Sequence, residues 1–254
     1  MRVYVLCFWF SCFYCVFAQA QLSPPGLGES KTAFWSAVGV KQKLSEKNST
    51  TTYVGTGMIS GMEESNPFNA PSILVVNEEF YHKLNPKWKY SVALSYRRQN
   101  EYEDAADVPA FIQQEVRLYA RLSHTENYGS IKWTTTLRQE VRKFYDEHFG
   151  RVEDDLQLRT RFKTQLYIPL DNEAHNNLIG SAEALFSIAN DNREGWGDMK
   201  YKESRFSLYY SYSPNRLPVT LDVGYMNDLI GYGHDVTDVS YLAFDIIIND
   251  PFSG

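Results

Sequence analysis

The chain has 254 residues, of which 31 are acidic and 25 basic, so its formal net charge at pH 7 is −6. This balance excludes nucleic acid as an expected partner, because phosphate binding requires a basic surface. After the N-terminal segment, no run approaches the roughly 20 apolar residues of a transmembrane helix, so any contact with a membrane is expected to use strands.

The first 20 residues have the layout of a secretory signal peptide. Arg2 precedes an apolar run over residues 3–17, and Ala18-Gln19-Ala20 offers a small-residue cleavage site. The three cysteines all lie in this segment and are Cys7, Cys12 and Cys15. We therefore expect an exported mature chain without thiols or disulfides. Residues 21–31, with Pro and Gly, are expected to form an irregular leader, and residues 32–254 the folded domain.

Eleven extended segments are predicted after the leader. The first six cover about residues 32–44, 51–61, 73–84, 87–97, 110–122 and 128–141. Segment 87–97 has the clearest alternation, because aromatic and aliphatic residues take every second position between lysine, serine and arginine. In segment 73–84, Glu78 falls on the apolar face, which predicts a bulge near Asn77 or a position at the bilayer edge.

The seventh segment, Leu156 to Ile168, is the most informative. Its apolar residues fall on one face of a strand, while Arg159, Arg161 and Lys163 fall on the other, because side chains alternate with period two. Helical spacing would mix the two groups. Soluble strands usually run about 5 to 6 residues, whereas a tilted strand that crosses a bilayer needs roughly 9 to 11. The pattern therefore predicts a transmembrane strand.

The remaining segments begin near residues 178, 203, 217 and 241. Short turns near residues 85, 126, 172 and 214 alternate with longer loops near 104, 148, 195 and 233, as in bacterial outer-membrane barrels. A closed single-chain bacterial barrel is expected to have an even number of strands, so a count of eleven implies a misassigned or missed segment. We predict an all-β, antiparallel, up-and-down transmembrane barrel of roughly ten to twelve strands.

The two faces of this predicted barrel differ in polarity, with apolar side chains outside and charged side chains inside. Those expected to face lipid are Trp88, Tyr90, Leu94, Tyr96, Trp133, Phe162, Phe206, Leu208, Tyr210 and Phe244. Those expected to form a charge ladder in the lumen are Glu115, Arg117, Arg121, Arg138, Glu140, Arg159, Arg161, Lys163, Glu183, Glu203, Arg205, Asp222 and Asp245. Glu153 and Asp155 are also placed inward.

The inward charges are expected to pair across neighbouring strands, because an unpaired charge away from water is costly. This favours a structural barrel with a salt-bridged interior or a thin channel. The alternative is a charged constriction that selects a small polar or anionic solute, with Arg159, Arg161 and Lys163 as its candidate contacts. Outer-membrane lipids are the expected partners.

An enzyme is not expected, since no G-x-S-x-G, H-E-x-x-H or Walker motif occurs. Four of the five histidines fall in predicted turns or loops, namely His124, His148, His175 and His234. Ser91 and His82 on facing strands are the one pair considered for a membrane-embedded lipid hydrolase. No cofactor or metal is expected. A secreted soluble barrel that binds a small apolar ligand is a third possible function, although it requires an apolar interior.

Several short motifs resemble the family called domain of unknown function 2490. They are Phe34-Trp35, Lys41, Lys43, Glu115, Arg117, Arg138, Glu140, Leu158 to Phe162, Ile168 to Leu170, Glu183, Phe186, Arg205 and Gly224-Tyr225. The resemblance implies an outer-membrane β-barrel of a Gram-negative bacterium and implies no activity, because the family has none assigned. Outer-membrane proteins often end on an aromatic residue, whereas in this chain Ser253 and Gly254 follow Phe252.

Overall fold

The computed structural model describes residues 26–27, 30–61, 64–102, 109, 111–191, 193 and 195–253. The predicted signal peptide and its cysteines lie outside these residues. Twelve strands are described: β1 (Thr32–Lys43), β2 (Asn48–Ile59), β3 (Ala70–Lys83), β4 (Trp88–Glu101), β5 (Phe111–Tyr128), β6 (Ile131–Tyr145), β7 (Arg151–Pro169), β8 (Asn176–Asp191), β9 (Gly195–Trp196), β10 (Lys200–Tyr212), β11 (Val219–Tyr232) and β12 (Asp235–Asn249).

Eleven of these strands close into a barrel. Sequential neighbours pair antiparallel from β1 to β8, β8 pairs with β10, and β12 returns to β1. The two-residue β9 only extends the edge of β8. The closing pair is parallel, with Thr32 beside Ser240 and Lys41 beside Asn249. An odd number of alternating strands makes the first and last run in the same direction, so a parallel closure follows.

The prediction of an all-β barrel of ten to twelve strands is confirmed. The expected even number was wrong, because the parallel β1–β12 pair closes an odd count without a missed strand.

The two ends of the barrel differ in their connections. We call one end the short-turn end, where the connections are 44–47, 84–87, 129–130, 170–175 and 213–218. At the other, the long-loop end, they are 60–69, 102–110, 146–150, 192–199 and 233–234. Because the strand number is odd, β1 begins at the long-loop end and β12 ends at the short-turn end.

Several strands are longer than the sequence pattern suggested. β5 continues to Tyr128, so His124 lies in a strand rather than in a turn. The longer loop predicted near residue 148 is reduced to residues 146–150, because β6 continues to Tyr145 and β7 begins at Arg151. The turn between β5 and β6 is correspondingly tight, and Gly129 adopts a φ of 63° there, which glycine tolerates without a steric cost.

The bulge predicted near Asn77 is absent from the described strands, since the β3–β4 register is continuous from Ile73 to Lys83. Glu78 instead lies exposed on the outer face, where its carboxylate accepts a hydrogen bond from the Thr52 hydroxyl group. The neighbouring hydroxyl group gives the carboxylate a polar partner, so the strand needs no irregularity to turn it inward.

No helix among the described residues is long and apolar enough to cross a membrane.

Candidate functional site

The outer face of the barrel is largely apolar. All the residues predicted to face lipid lie on it; Tyr96 and Phe244 are half-buried and the others are exposed. Leu94 and Phe162, near the middle of their strands, are 58% and 51% exposed. Exposed apolar surface on this scale marks a contact with a membrane or with another protein. Contact of these outer-face residues with lipid stays a prediction.

Aromatic side chains concentrate on the outer face near the short-turn end. They are Trp88, Tyr90, Tyr128, Trp133, Tyr210 and Tyr212, all exposed. Each lies within a few residues of a strand terminus at that end. Rings of aromatic residues at this level are typical of membrane barrels, because their amphipathic rings favour the headgroup region.

Inside the barrel, Glu140 of β6 is the centre of a charge network. Its side chain is fully buried, and its carboxylate lies 2.7 Å from Nε of Arg138, 2.7 Å from Nε of Arg161 and 3.6 Å from Nε of Arg117. The arginines approach it as charges, because neither carboxylate oxygen accepts a well-aligned hydrogen bond. Arg138 also lies over the Tyr119 ring, 3.6 Å from its centroid.

Glu115 of β5, unlike Glu140, accepts well-aligned hydrogen bonds from arginine side chains. Arg142 donates to both of its oxygens, Nε to Oε1 at 2.8 Å and Nη2 to Oε2 at 2.7 Å, which is bidentate geometry. Arg117 Nε donates to the same Oε1 at 2.7 Å. Arg117 therefore joins the Glu115 and Glu140 centres into one network.

In the β5–β7 part of the network, the pairing across neighbouring strands is diagonal. Arg117 and Arg142 are opposite one another in the register, as are Arg138 and Arg161, so the carboxylate partners lie two positions along. Arginine side chains are long enough to reach a carboxylate two positions along the neighbouring strand. On the opposite wall Asp222 and Asp245 are also register partners, both buried, and Asp245 Oδ1 accepts a hydrogen bond of 3.0 Å from Trp35 Nε1.

The network continues around the wall through β8, β10 and β11. Arg161 Nη1 donates to Glu183 Oε1 at 2.8 Å. Arg205 contacts Glu203 and lies 3.2 Å from Asp228 Oδ2. On the β3 side, Arg121 Nε lies 3.4 Å from Glu79 Oε1. The predicted ladder is thus brought together on the inner face, together with charged residues that the sequence analysis did not include.

Part of the basic cluster proposed for an anionic solute is already engaged with carboxylates. Arg161 lies between Glu140 and Glu183, and Lys163 is the register partner of Glu183. Arg159 Nη2 donates a long hydrogen bond of 3.4 Å to Gln157 Oε1. A role of these residues in solute contact stays a prediction. Glu153, which was placed inward, is instead exposed and pairs with Arg193.

One side of the lumen is apolar, which the sequence analysis did not predict. The cluster is centred on Trp35, Tyr241 and Leu27, each at most 1% exposed, and includes Ile73, Val75, Ile179, Met226, Val239 and Ile247. These side chains occupy inward positions of β1, β3, β8, β11 and β12. Inward alanine, valine and isoleucine residues were the available signal, but the many inward charges outweighed it.

Residues 26 and 27 of the predicted leader lie inside the barrel. Leu27 N donates to the Tyr241 hydroxyl oxygen at 3.0 Å, and Ser72 Oγ donates to the Leu27 carbonyl oxygen at 3.1 Å. Arg97 Nη2 donates to the Gly26 carbonyl oxygen at 2.7 Å. These partners come from β12, β3 and β4, so residues 26 and 27 occupy the lumen at the long-loop end. At this point the leader is not an exposed linker.

A small cavity lies beside the network. A cavity lined by Lys163, Glu183, Arg205, Tyr209 and Met226 has a volume of about 10 Å³, which is room for at most one water molecule. At the level of Glu183 the described side chains therefore fill most of this part of the lumen.

Ser91 and His82 do not form a catalytic pair. Ser91 faces inward, where its hydroxyl group donates to Glu79 Oε1 at 2.5 Å. His82 lies on the outer face, with Nδ1 2.7 Å from Asn48 Oδ1. The barrel wall separates them, because they occupy positions of opposite parity on neighbouring strands. Among the described residues, no group of three His, Cys, Asp or Glu side chains is placed to hold a metal ion.

A family model matches most of the barrel. The model of the family described as "Protein of unknown function (DUF2490)" matches residues 32–238, which span β1 to the start of β12. The chain belongs to this family. A search of curated proteins gave no match. In this DUF2490 protein, many of the residues on which the sequence resemblance rests lie in the lumen, among them Trp35, Glu115, Glu140, Glu183 and Arg205.

Proposed function

We propose that this DUF2490 protein is an outer-membrane barrel with a structural role, whose lumen is closed by its own side chains. The observation that carries this proposal is that the outer face of the barrel wall is apolar and the inner face is charged. Leu94, Phe162 and Leu208 are exposed outside, whereas Glu140 and Arg161 are buried inside. A soluble barrel would be expected to show the opposite arrangement, because exposed apolar surface of this extent is unfavourable in water.

Two features support a closed lumen. Barrels of eight strands are filled by side chains, whereas those of 16 to 18 strands leave a channel, so eleven strands have a modest interior. The diagonal network fills the β5–β8 side of that interior, and Leu27 with Trp35 fills the β12–β1 side.

Insertion is tested by folding the mature protein, residues 21–254, into phospholipid vesicles. We expect the heat-modifiable gel migration of a folded barrel and protection of the strands from protease. A protein that stays in the aqueous phase, folded and without detergent, would overturn the membrane assignment.

Closure is tested by planar-bilayer conductance of the inserted protein. We expect no steady current steps from the native chain or from the Arg159→Ala/Arg161→Ala variant. Steady ohmic steps from the native protein would contradict closure and favour the second candidate function, a narrow pore. A shift of ion selectivity in the variant would then place this basic cluster in the conduction path.

A hydrolase and a soluble carrier have less support. A lipid hydrolase that uses Ser91 and His82 would need these side chains on one face. A soluble carrier of an apolar ligand would need an empty apolar interior, but Leu27, Trp35 and Tyr241 pack against one another on that side. Unchanged lipid hydrolysis in a His82→Ala variant would eliminate a hydrolase that uses this pair.

A further inference from the structure

Lysines converge on the inner face at the short-turn end of the barrel. We call them, together with the rings of Tyr81 and Tyr167, the lysine vestibule; its lysines are Lys41, Lys43, Lys83, Lys89 and Lys132. They come from β1, β3, β4 and β6, and each lies within about four residues of the strand terminus at that end. The fold therefore brings together positive charges that are up to 91 residues apart in the sequence (Lys41 to Lys132).

The lysines are close enough to interact. Lys83 and Lys89 are direct partners in the β3–β4 register. Lys83, Lys89 and Lys132 each repel the Lys41 ammonium group, which Asp250 attracts. Aromatic rings also contact two of them: Lys89 Nζ lies 4.7 Å from the Tyr81 centroid, and Lys132 Nζ lies 5.2 Å from the Tyr167 centroid. Such cation–π contacts orient the ammonium groups without neutralising them.

Carboxylates on the inner face are fewer than lysines near the short-turn end. Among the described strands, the acidic residues at inward positions within four residues of a strand terminus at this end are Glu79, Asp222 and Asp245, and the two aspartates are register partners. Glu79 is held by Ser91, Tyr119 and Arg121. The other inward residues at this end include Ser49, Thr125, Thr134, Asn177 and Ser211, which supply hydrogen-bond donors.

The vestibule is accessible from its own end. Lys41, Lys83, Lys89 and Lys132 are half-buried and Lys43 is exposed, in contrast with the fully buried Glu140 deeper in the lumen. The far end is occupied by residues 26 and 27. A ligand would therefore enter and leave at the short-turn end.

We propose that the lysine vestibule binds a phosphate group, either as free phosphate or as the headgroup of a phospholipid. Several ammonium groups held close together repel one another, and a dianion relieves that repulsion while it accepts hydrogen bonds from lysine and hydroxyl groups. Rings of lysine select anions and phosphate in pores for the same reason. The proposal goes beyond the structural role, since binding at a blind vestibule requires neither conduction nor insertion.

The experiment measures phosphate binding by the folded mature protein in a non-ionic detergent, by isothermal titration calorimetry at constant ionic strength. The variant is Lys83→Gln/Lys89→Gln/Lys132→Gln. The matched control, Lys31→Gln/Lys200→Gln/Lys202→Gln, removes the same charge from exposed positions near the long-loop end. We expect the native protein and the control to bind inorganic phosphate equally, and the vestibule variant to bind at least tenfold more weakly.

A second arm separates the two sources of the phosphate group. Mixed micelles that contain short-chain phosphatidic acid are compared with micelles that contain phosphatidylcholine. Binding of phosphatidic acid without binding of inorganic phosphate would support the headgroup form of the proposal. Equal affinities of all three proteins for both probes, or binding of neither probe by the native protein, would overturn it.

Thermal unfolding provides a readout that does not depend on heats of binding. Phosphate should raise the midpoint of the native protein and the control by the same amount and leave the vestibule variant unchanged, because a ligand stabilises only the state that binds it. Equal shifts in all three would overturn the proposal. If the triple variant does not fold, Lys132→Gln alone takes its place with the same expected direction.

Discussion

The guanidinium group of Arg97 donates a hydrogen bond of 2.7 Å to the carbonyl oxygen of Gly26. Arg97 lies in β4 near the long-loop end, whereas Gly26 precedes the first strand, so this bond holds Gly26 in the lumen. Its neighbour Leu27 is 1% exposed and packs in the apolar inner cluster. Leu27, which precedes β1, therefore contributes to the core of the barrel.

Replacing Leu27 with alanine should destabilise the barrel. The change leaves a cavity at a fully buried position, which typically costs about 2–5 kcal/mol for leucine. Urea unfolding of the detergent-folded protein measures the effect. Leu170→Ala, in an exposed turn, is the control and should change stability by less than about 0.5 kcal/mol. Equal effects of the two variants would show that Leu27 does not pack inside.

Replacing Glu140 with glutamine should destabilise the barrel, because it removes the carboxylate partner of a buried arginine. Arg117 keeps Glu115 and Arg161 keeps Glu183, but Arg138 loses its only described carboxylate contact. Breaking a buried pair by removing one partner typically costs about 3–5 kcal/mol. The double variant Glu140→Gln/Arg138→Met removes the orphaned charge and should recover part of the loss. A double variant less stable than the single one would contradict this account of the network.

Gly55 of β2 should not tolerate a larger residue. A Cβ atom there would overlap the buried Trp35 indole ring, and overpacking a core typically costs about 1–3 kcal/mol. We expect Gly55→Ala to lower the unfolding midpoint. Gly180→Ala is the matched control, because a Cβ atom at that position on the outer face would meet no atom within 4 Å; it should be close to neutral.

The turn that contains Asp171 should open as pH falls. Its carboxylate accepts hydrogen bonds from the Asn176 side chain at 2.6 Å and from the backbone N–H groups of Asn176 and His175 at 2.8 and 2.9 Å. These bonds, that of the Asn176 side chain above all, lower the pKa of Asp171. A carboxyl group with a lowered folded pKa stabilises the fold above its unfolded pKa, and this contribution is lost as pH falls through the folded value.

Hydrogen-exchange protection of the His175 and Asn176 amides measures this effect. It should decrease once the pH falls below about 4, the ordinary aspartate range. The turn at Asn85 is an internal control, since its neutral amide oxygen accepts from the backbone N–H groups of Lys87 and Trp88. Parallel loss of protection in both turns would argue against titration of Asp171 as the cause.

Much of the barrel wall was predictable because strand alternation is a local property. The segment Leu156 to Ile168 was predicted as a strand with Phe162 outward and Arg161 inward, and the structure has both orientations. Predictions were weaker at the strand ends. Arg142 and Asp228 were left out of the lumen because their strands were ended too early, although alternation continues through both.

The sequence by itself determined which side chains of each strand share a face, since every second residue points the same way whatever the neighbouring strands do. Only the tertiary structure decided that Leu27 fills the lumen, that Glu140 is surrounded by arginines from β5, β6 and β7, and that β1 closes on β12 in parallel. These relationships depend on the stagger and closure of the whole sheet. Stagger and closure arise from contacts between residues far apart in the chain, which local periodicity does not encode.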